Sequence, residues 1–320
     1  MKSWDLTTLG STMLSLSTDP GVALLSTGGL RLDIAGAESN CAIALARLGK
    51  KVAWHSKVAR SALGERVVSE IRSHGVDVSS VLWSESGRHE QMWVEAGLGS
   101  NRTTVTYDRA GAEIESLKIG EVALEALEDA TFFHATGITP ALSEDLRNTV
   151  LDAVQLARKA GVRVSFDVNY RSKLWEPARA REVLSTIITG IDLLFVGAGD
   201  LATIWEHTGD PQGGLAWLQE QFGISNVVLT RGEEGASGLF GDVFHCSSAC
   251  PGEVVSPIGA GDAFAAGVLY SLLEGDEELA LRRGCAMAAL ARESRGDYVV
   301  GGVEALEARL GEDGGKKLER

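Results

Sequence analysis

The sequence predicts an α/β fold of three layers, a mostly parallel central sheet between helices, with a small β-sheet lid beside it. From Glu121 onward, short apolar runs alternate with longer amphipathic stretches, the rhythm of parallel strands joined by helices that cover both faces of a sheet. Near the C-terminus a glycine turn runs into a long helix of small residues, Ser256 to Leu273, SPIGAGDAFAAGVLYSLL. Two earlier segments, Ser11 to Ala35 and Glu90 to Tyr107, are short extended pieces punctuated by turns such as Asp19 to Gly21 and Gly28–Gly29. They are expected to form the separate small sheet.

Taken in order, Trp4 to Leu9 reads as a first strand ending at Gly10. Gly36 to Gly49 is an amphipathic helix, with Ile43, Ala44, Arg47 and Leu48 at helical spacing and Gly49 as its stop. Val52 to Val58 reads as a strand, Leu63 to Gly75 as a helix and Val76 to Trp83 as extended. Glu90 to Gly97 and Arg102 to Tyr107 alternate on either side of GLGSN, as a hairpin does. Strands follow at Thr131–Ala135, Val162–Asp167, Asp192–Val196 and Asn226–Thr230. Helices are expected at Ser143–Ala160, Arg179–Thr189, Leu201–His207, Leu215–Phe222 and Glu277–Arg295. Ala236–Phe240 and Val243–His245 suggest an antiparallel edge hairpin. The expected main domain comprises residues 1–10, 36–85 and 113–310, the lid 11–35 and 86–112, and a frayed tail 311–320.

The 320 residues, 44% hydrophobic, are enough for a large core. A net charge of −14 argues against general nucleic-acid binding and against anionic membranes. Twenty-one Arg against nine Lys, joined to the acid excess, fits either a high-salt cytosol or plain lineage composition. The four cysteines, Cys41, Cys246, Cys250 and Cys285, are too scattered for a disulfide framework, and the cluster HCSSAC has no second ligand pair at zinc spacing. With no signal-like apolar segment at the start and no run of membrane length, a cytoplasmic protein is expected.

The chemistry is expected at GAGD. Gly259 and Gly261 let the backbone turn tightly into the helix, whose free N–H groups suit the negative charge of a phosphoryl group in transfer. A carboxylate in that same turn, Asp262, is unfavourable beside an anion unless it takes a proton from an attacking hydroxyl; the plain alternative is a first-turn acid serving the helix dipole. No GxxxxGK[ST] phosphate loop occurs anywhere.

With this turn, the helix start GAESN and the lid segments in hand, the chain resembles the ribokinase-type family of sugar kinases from end to end. Gly137 to Ser143 (GITPALS), Phe166 to Trp175 (FDVNYRSKLW) and Ser294 to Asp297 (SRGD) make it most similar to kinases of the 2-keto-3-deoxygluconate type. The resemblance implies ATP and Mg2+ as cofactors, Asp262 as base, and Gly259, Ala260 and Gly261 as anion hole. It also implies substrate contacts from Gly36, Asn40, Trp93, Tyr107, Arg109, Ile138 and Asp297. Arg171, at the end of a central strand, has a planar fork suited to a substrate carboxylate. Asn169, Thr230, Gly232 and Gly235 are implied on the nucleotide side.

Two departures stand out. Gly10 is followed by Ser11 where relatives carry Glu, and the Asn-x-x-Glu element that helps hold magnesium is here Gly197, Ala198, Gly199, Asp200. Asp200 is left to act on the metal through water. The expected activity is phosphorylation of the primary hydroxyl of 2-keto-3-deoxygluconate or its galactonate epimer. A neutral-sugar kinase such as a fructokinase and a non-catalytic sugar-binding protein are the rivals. The lid's open edge suggests a homo-oligomer.

Overall fold

The computed structural model describes residues 2–98 and 103–312. The chain opens with β1 (Trp4–Leu9), leaves as β2 (Met13–Ser17) and β3 (Arg31–Ala35), and returns through helix α1 (Ala37–Arg47) and β4 (Val52–His55). Then come β5 (Lys57–Ala59), α2 (Ala62–Ser73), β6 (Leu82–Ser84), and the hairpin β7 (Gln91–Glu95) and β8 (Thr104–Asp108), whose loop tip lies outside the described residues. The alternating half runs α3 (Leu124–Glu128), β9 (Ala130–Thr136), α4 (Thr139–Leu142), α5 (Glu144–Lys159), β10 (Arg163–Asp167), α6 (Pro177–Ile188), β11 (Leu193–Gly197), α7 (Ala198–Trp205), α8 (Pro211–Phe222) and β12 (Asn226–Thr230). It closes with the hairpin β13 (Ala236–Phe240) and β14 (Val243–Ser247), then α9 (Ala260–Leu273), α10 (Ala280–Arg292) and α11 (Val303–Glu312).

The main sheet has eight strands in the order β14-β13-β12-β11-β10-β9-β1-β4. All neighbours from β4 to β12 are parallel, and β13 and β14 form the antiparallel edge. Strand alternation divides the core. Phe132 and Phe195 pack toward α1, α9 and α10, while Phe133 and Leu194 pack toward α5, α6 and α8. Each such side chain contributes about 1.5–3 kcal/mol on burial, so a strand buried on both faces reads as a continuous apolar run.

Helix α9 is placed by its small residues. A Cβ at Gly267 would lie 2.5 Å from the carbonyl oxygen of Arg283, and one at Gly284 would lie 2.8 Å from the Phe264 ring. The α9–α10 contact therefore needs both glycines, and it fixes where the start of α9 projects.

The lid is a four-stranded sheet in the order β3-β2-β7-β8. Ser15, Met92 and Tyr107 are cross-strand partners on the face toward the body; Leu16, Trp93 and Thr106 are partners on the opposite face.

Some expected boundaries are corrected. Val52 to Val58 is two strands interrupted at Ser56, because the second half leaves the main sheet to pair with β6. Val76 to Trp83 is strand only from Leu82; a turn intervenes, with Val81 N–H bonded to Val78 O. The expected tail begins inside α11, whose Leu306 is buried against the core; residues 313–320 lie outside the described set.

Candidate active site

Parallel strands ending on one side leave a crevice at their C-terminal ends, and a cleft of ≈ 430 Å³ lies there, between the sheet, the start of α9 and the lid. Asp262 lines it. Gly259, at φ 78°, is the residue before α9, and a Cβ there would lie 1.9 Å from the backbone oxygen of Asp297, so only glycine fits. The first helical bond of α9 runs from Ala263 N to Gly259 O, which leaves the N–H groups of Ala260, Gly261 and Asp262 without helical partners. These donors extend the expected set, Gly259 to Gly261, by one residue to Asp262. Ala260 supplies backbone only, its side chain packing on the core.

Asn40, on α1, donates from Nδ2 to Asp262 Oδ2 at 2.8 Å. Burial pushes the Asp262 carboxyl up to about 6, against the hydrogen bond from Asn40 and the nearby Arg171. A carboxylate held by an amide, open on one side and titrating near neutrality is suited to take a proton from a hydroxyl.

Three further carboxyls surround it. Asp167, at the end of β10, is raised to about 8 by burial and by Asp262 and Asp200. Asp200, in the first turn of α7, accepts from Tyr170 N at 3.3 Å and is raised by burial. Glu38 is 1% exposed and raised to about 7, chiefly by burial; its Oε1 accepts from Thr136 N, Thr136 Oγ1 and Thr139 Oγ1. Asn169 takes the left-handed conformation at φ 39°, a turn that asparagine tolerates, and donates to Asp167 while bonding Asp262. Of these carboxyls, Asp167, Asp200 and Asp262 face Arg171 as the nearby cation. Asp167 and Asp200 supply oxygen donors of the kind Mg2+ takes, and no group of three or more metal-type side chains stands ready among the described residues. Mg2+ commonly relies on few protein carboxylates together with substrate phosphates.

The opposite wall is cationic. Arg171, in the turn after β10, lines the cleft, and its guanidinium has no hydrogen-bond or ion-pair partner among the described residues. Arg109, just beyond β8, makes one weak contact to the Met13 sulfur at 3.6 Å, while its buried Nε and Nη1 have no acceptor. Tyr107, Ile138, Gly36 and Thr230 also border the space.

Five expected site residues are not in this lining: Ala260, which offers backbone only, and four others. Trp93 lies on the far face of its strand, because alternation along β7 turns Met92, its neighbour, into the cleft. Asp297 lines an adjoining pocket with Ser15, Asp33 and Arg31, where its buried Oδ2 has no partner. Gly232 and Gly235 lie beyond Thr230 in the turn leading to β13; a Cβ at Gly235 would meet Ser247 O at 2.1 Å, so that glycine serves chain packing. Conversely, Glu38, Asp167 and Met92 were not singled out. The first two stand inside quoted motifs, GAESN and FDVNYR, and an acidic residue amid a buried run was the signal available for both.

A free helix N-terminus with a half-buried acid, opposite two guanidinium groups, is an arrangement suited to phosphoryl transfer onto a small hydroxylated substrate. The chain belongs to the pfkB family of carbohydrate kinases, which it matches over residues 5–300. It is 39% identical over 96% of its length to a 2-dehydro-3-deoxygalactonokinase from Haloferax volcanii, of which 96% is covered. Among solved structures, the 2-dehydro-3-deoxygluconokinase of Thermotoga maritima superposes with a TM-score of 0.91 at 26% identity, covering 96% of this chain and 99% of that one. A putative ribokinase II from E. coli, in complex with ATP and Mg2+, shares the fold with a TM-score of 0.88 at 22% identity, covering 97% and 99%.

Proposed function

We propose that this sugar kinase transfers the γ-phosphoryl group of ATP to the primary hydroxyl of 2-keto-3-deoxygluconate or its galactonate epimer. The observation that carries the substrate class is Arg109, a buried guanidinium bordering the cleft with two donors unsatisfied, facing the same space as the unpaired Arg171. Buried donors without acceptors are costly, at about 1–3 kcal/mol each, and a substrate carboxylate would satisfy them. A neutral sugar would leave those buried donors without a carboxylate acceptor. The names of the relatives point the same way.

Asp262 takes the hydroxyl proton as the oxygen–phosphorus bond forms and the bond to ADP breaks. The N–H groups of Ala260, Gly261 and Asp262 receive the charge on the phosphoryl oxygens. Asn40 and Asn169 hold the base in place, and Thr230 borders the nucleotide side. Mg2+, when bound, neutralises phosphate charge, with Asp200 and Asp167 as the residues to hold it. A coupled ADP-release assay with 2-keto-3-deoxygluconate, its galactonate epimer, fructose and ribose tests the reading. Preference for fructose or ribose over both acids would refute the substrate class, and no turnover of any sugar would favour a binding protein.

A further inference from the structure

The reaction cleft opens on the lid side into a second cavity of ≈ 780 Å³, between β8 and the turn 170–174. Tyr107, Arg109 and Arg171 border both spaces, whereas Lys173 borders only the outer one. From there its Nζ donates to the backbone oxygen of Val105 at 3.1 Å and lies 5.6 Å from the centre of the Tyr107 ring, which also has the Arg109 guanidinium at 4.8 Å. β8 is an edge strand of the lid, so an outward carbonyl there lacks a strand partner, and the ammonium occupies that position. Among the described residues this is the one hydrogen bond joining the 170–174 turn to the lid.

The turn and the strand carry like charges. Arg109 arrives on the lid and Arg171 on the body, and each disfavours the other's approach; Glu90 offsets part of this for Arg109. Without an anion between them, this repulsion works against bringing the lid strand and the turn together. Asp167, Asp200 and Asp262 face Arg171 from the body side, and Asp108, next to Arg109, is held by Arg88.

We infer that Lys173 is a specificity-determining positioning residue: by tying the edge strand of the lid to the turn that carries Arg171, it assembles Tyr107, Arg109 and Arg171 into one site for an anionic sugar. This rests on the sugar-acid reading. It assigns Lys173 to sugar binding through Tyr107 and β8, apart from the phosphoryl transfer at Asp262.

The test uses the full chain with Lys173→Met, which keeps the stem and removes the donor, and Lys173→Arg, which restores a cation. In Lys173→Met, KM for the sugar acid is expected to rise about tenfold, with a much smaller change in kcat and in KM for ATP. The amides of β8 should exchange with deuterium faster in the unliganded variant, and Lys173→Arg should recover most of both effects. Unchanged KM and unchanged exchange in Lys173→Met would overturn the inference. So would equal losses for sugar and ATP with a lowered Tm, or no recovery in Lys173→Arg. If wild type phosphorylates fructose and no sugar acid, the substrate reading fails on its own. Faster β8 exchange in Lys173→Met would then still support the tie, and unchanged exchange would overturn it.

Discussion

Asp262→Asn separates chemistry from folding, because the structure gives the two effects opposite signs. The amide is nearly isosteric and can turn its oxygen toward Asn40, keeping the bond that Asp262 now accepts at 2.8 Å. It cannot accept the hydroxyl proton. Loss of a general base costs on the order of 10²- to 10⁴-fold, or about 3–5 kcal/mol in the barrier, and should fall on kcat with KM for the sugar little changed. Stability should move the other way. The carboxyl is raised from 3.8 to about 6, and at about 1.4 kcal/mol per pH unit its ionised form carries a cost of up to about 3 kcal/mol above that pH. The group is half-buried with one side open to the cleft, so solvent reduces this to roughly 1 kcal/mol. Tm of the unliganded variant at pH 8 should therefore rise by about 2 °C. Steady-state kinetics and thermal unfolding, measured together, check both. Turnover within tenfold of wild type would refute the role of base, and a Tm lowered by several degrees would refute the burial argument.

Arg171→Ala should reduce kcat/KM on sugar acids about 10- to 100-fold, with fructose much less affected, because Arg109 remains as a second cation; equal losses on both substrates would mean that Arg171 serves the phosphates. Since Asp262 must be ionised to act, kcat/KM should rise with pH through about 6, and a flat profile down to pH 5 would contradict this. Glu38, Asp167 and Asp297 have folded values raised to about 7, 8 and 7, so the folded state binds more protons than the unfolded one between about pH 4 and 8. Their contribution to stability is present at low pH and lost as pH rises through those values. The unliganded Tm should fall more steeply across that window in wild type than in Asp167→Asn, and Mg2+ should restore more of it at pH 8 than at pH 5 in wild type. The outer lid face, with Leu16, Trp93 and the 38%-exposed Leu32, is proposed to meet a second copy of the chain; Leu32→Glu should shift light-scattering mass toward monomer.

The alternation of apolar runs and amphipathic stretches was enough to determine the layered α/β architecture, because both faces of each parallel strand must be covered and the helices must carry one apolar face each. The motif GAGD likewise located the carboxylate proposed as the base, since a glycine turn, free helical N–H groups and a carboxylate are local features spanning a few residues. The 3.6 and 2.0 periodicities are local too, which is why the lid segments and the edge hairpin were legible. Direction was harder. Whether Met92 or Trp93 enters the cleft depends on which face of the lid meets the body, and a shift of one residue reverses it. Two of the buried acids were not legible for a related reason: Glu38 sits on α1 and Asp167 on β10, and only folding brings them to Asp262, whereas Asp200 on α7 was named from its motif. Their raised pKa values arise from shared burial and repulsion across the chain, and the hydrogen bond from Lys173 to Val105 likewise joins residues far apart in sequence. Such pairings are set by the crossing of strand ends, lid and helix start, a three-dimensional coincidence that no stretch of sequence contains.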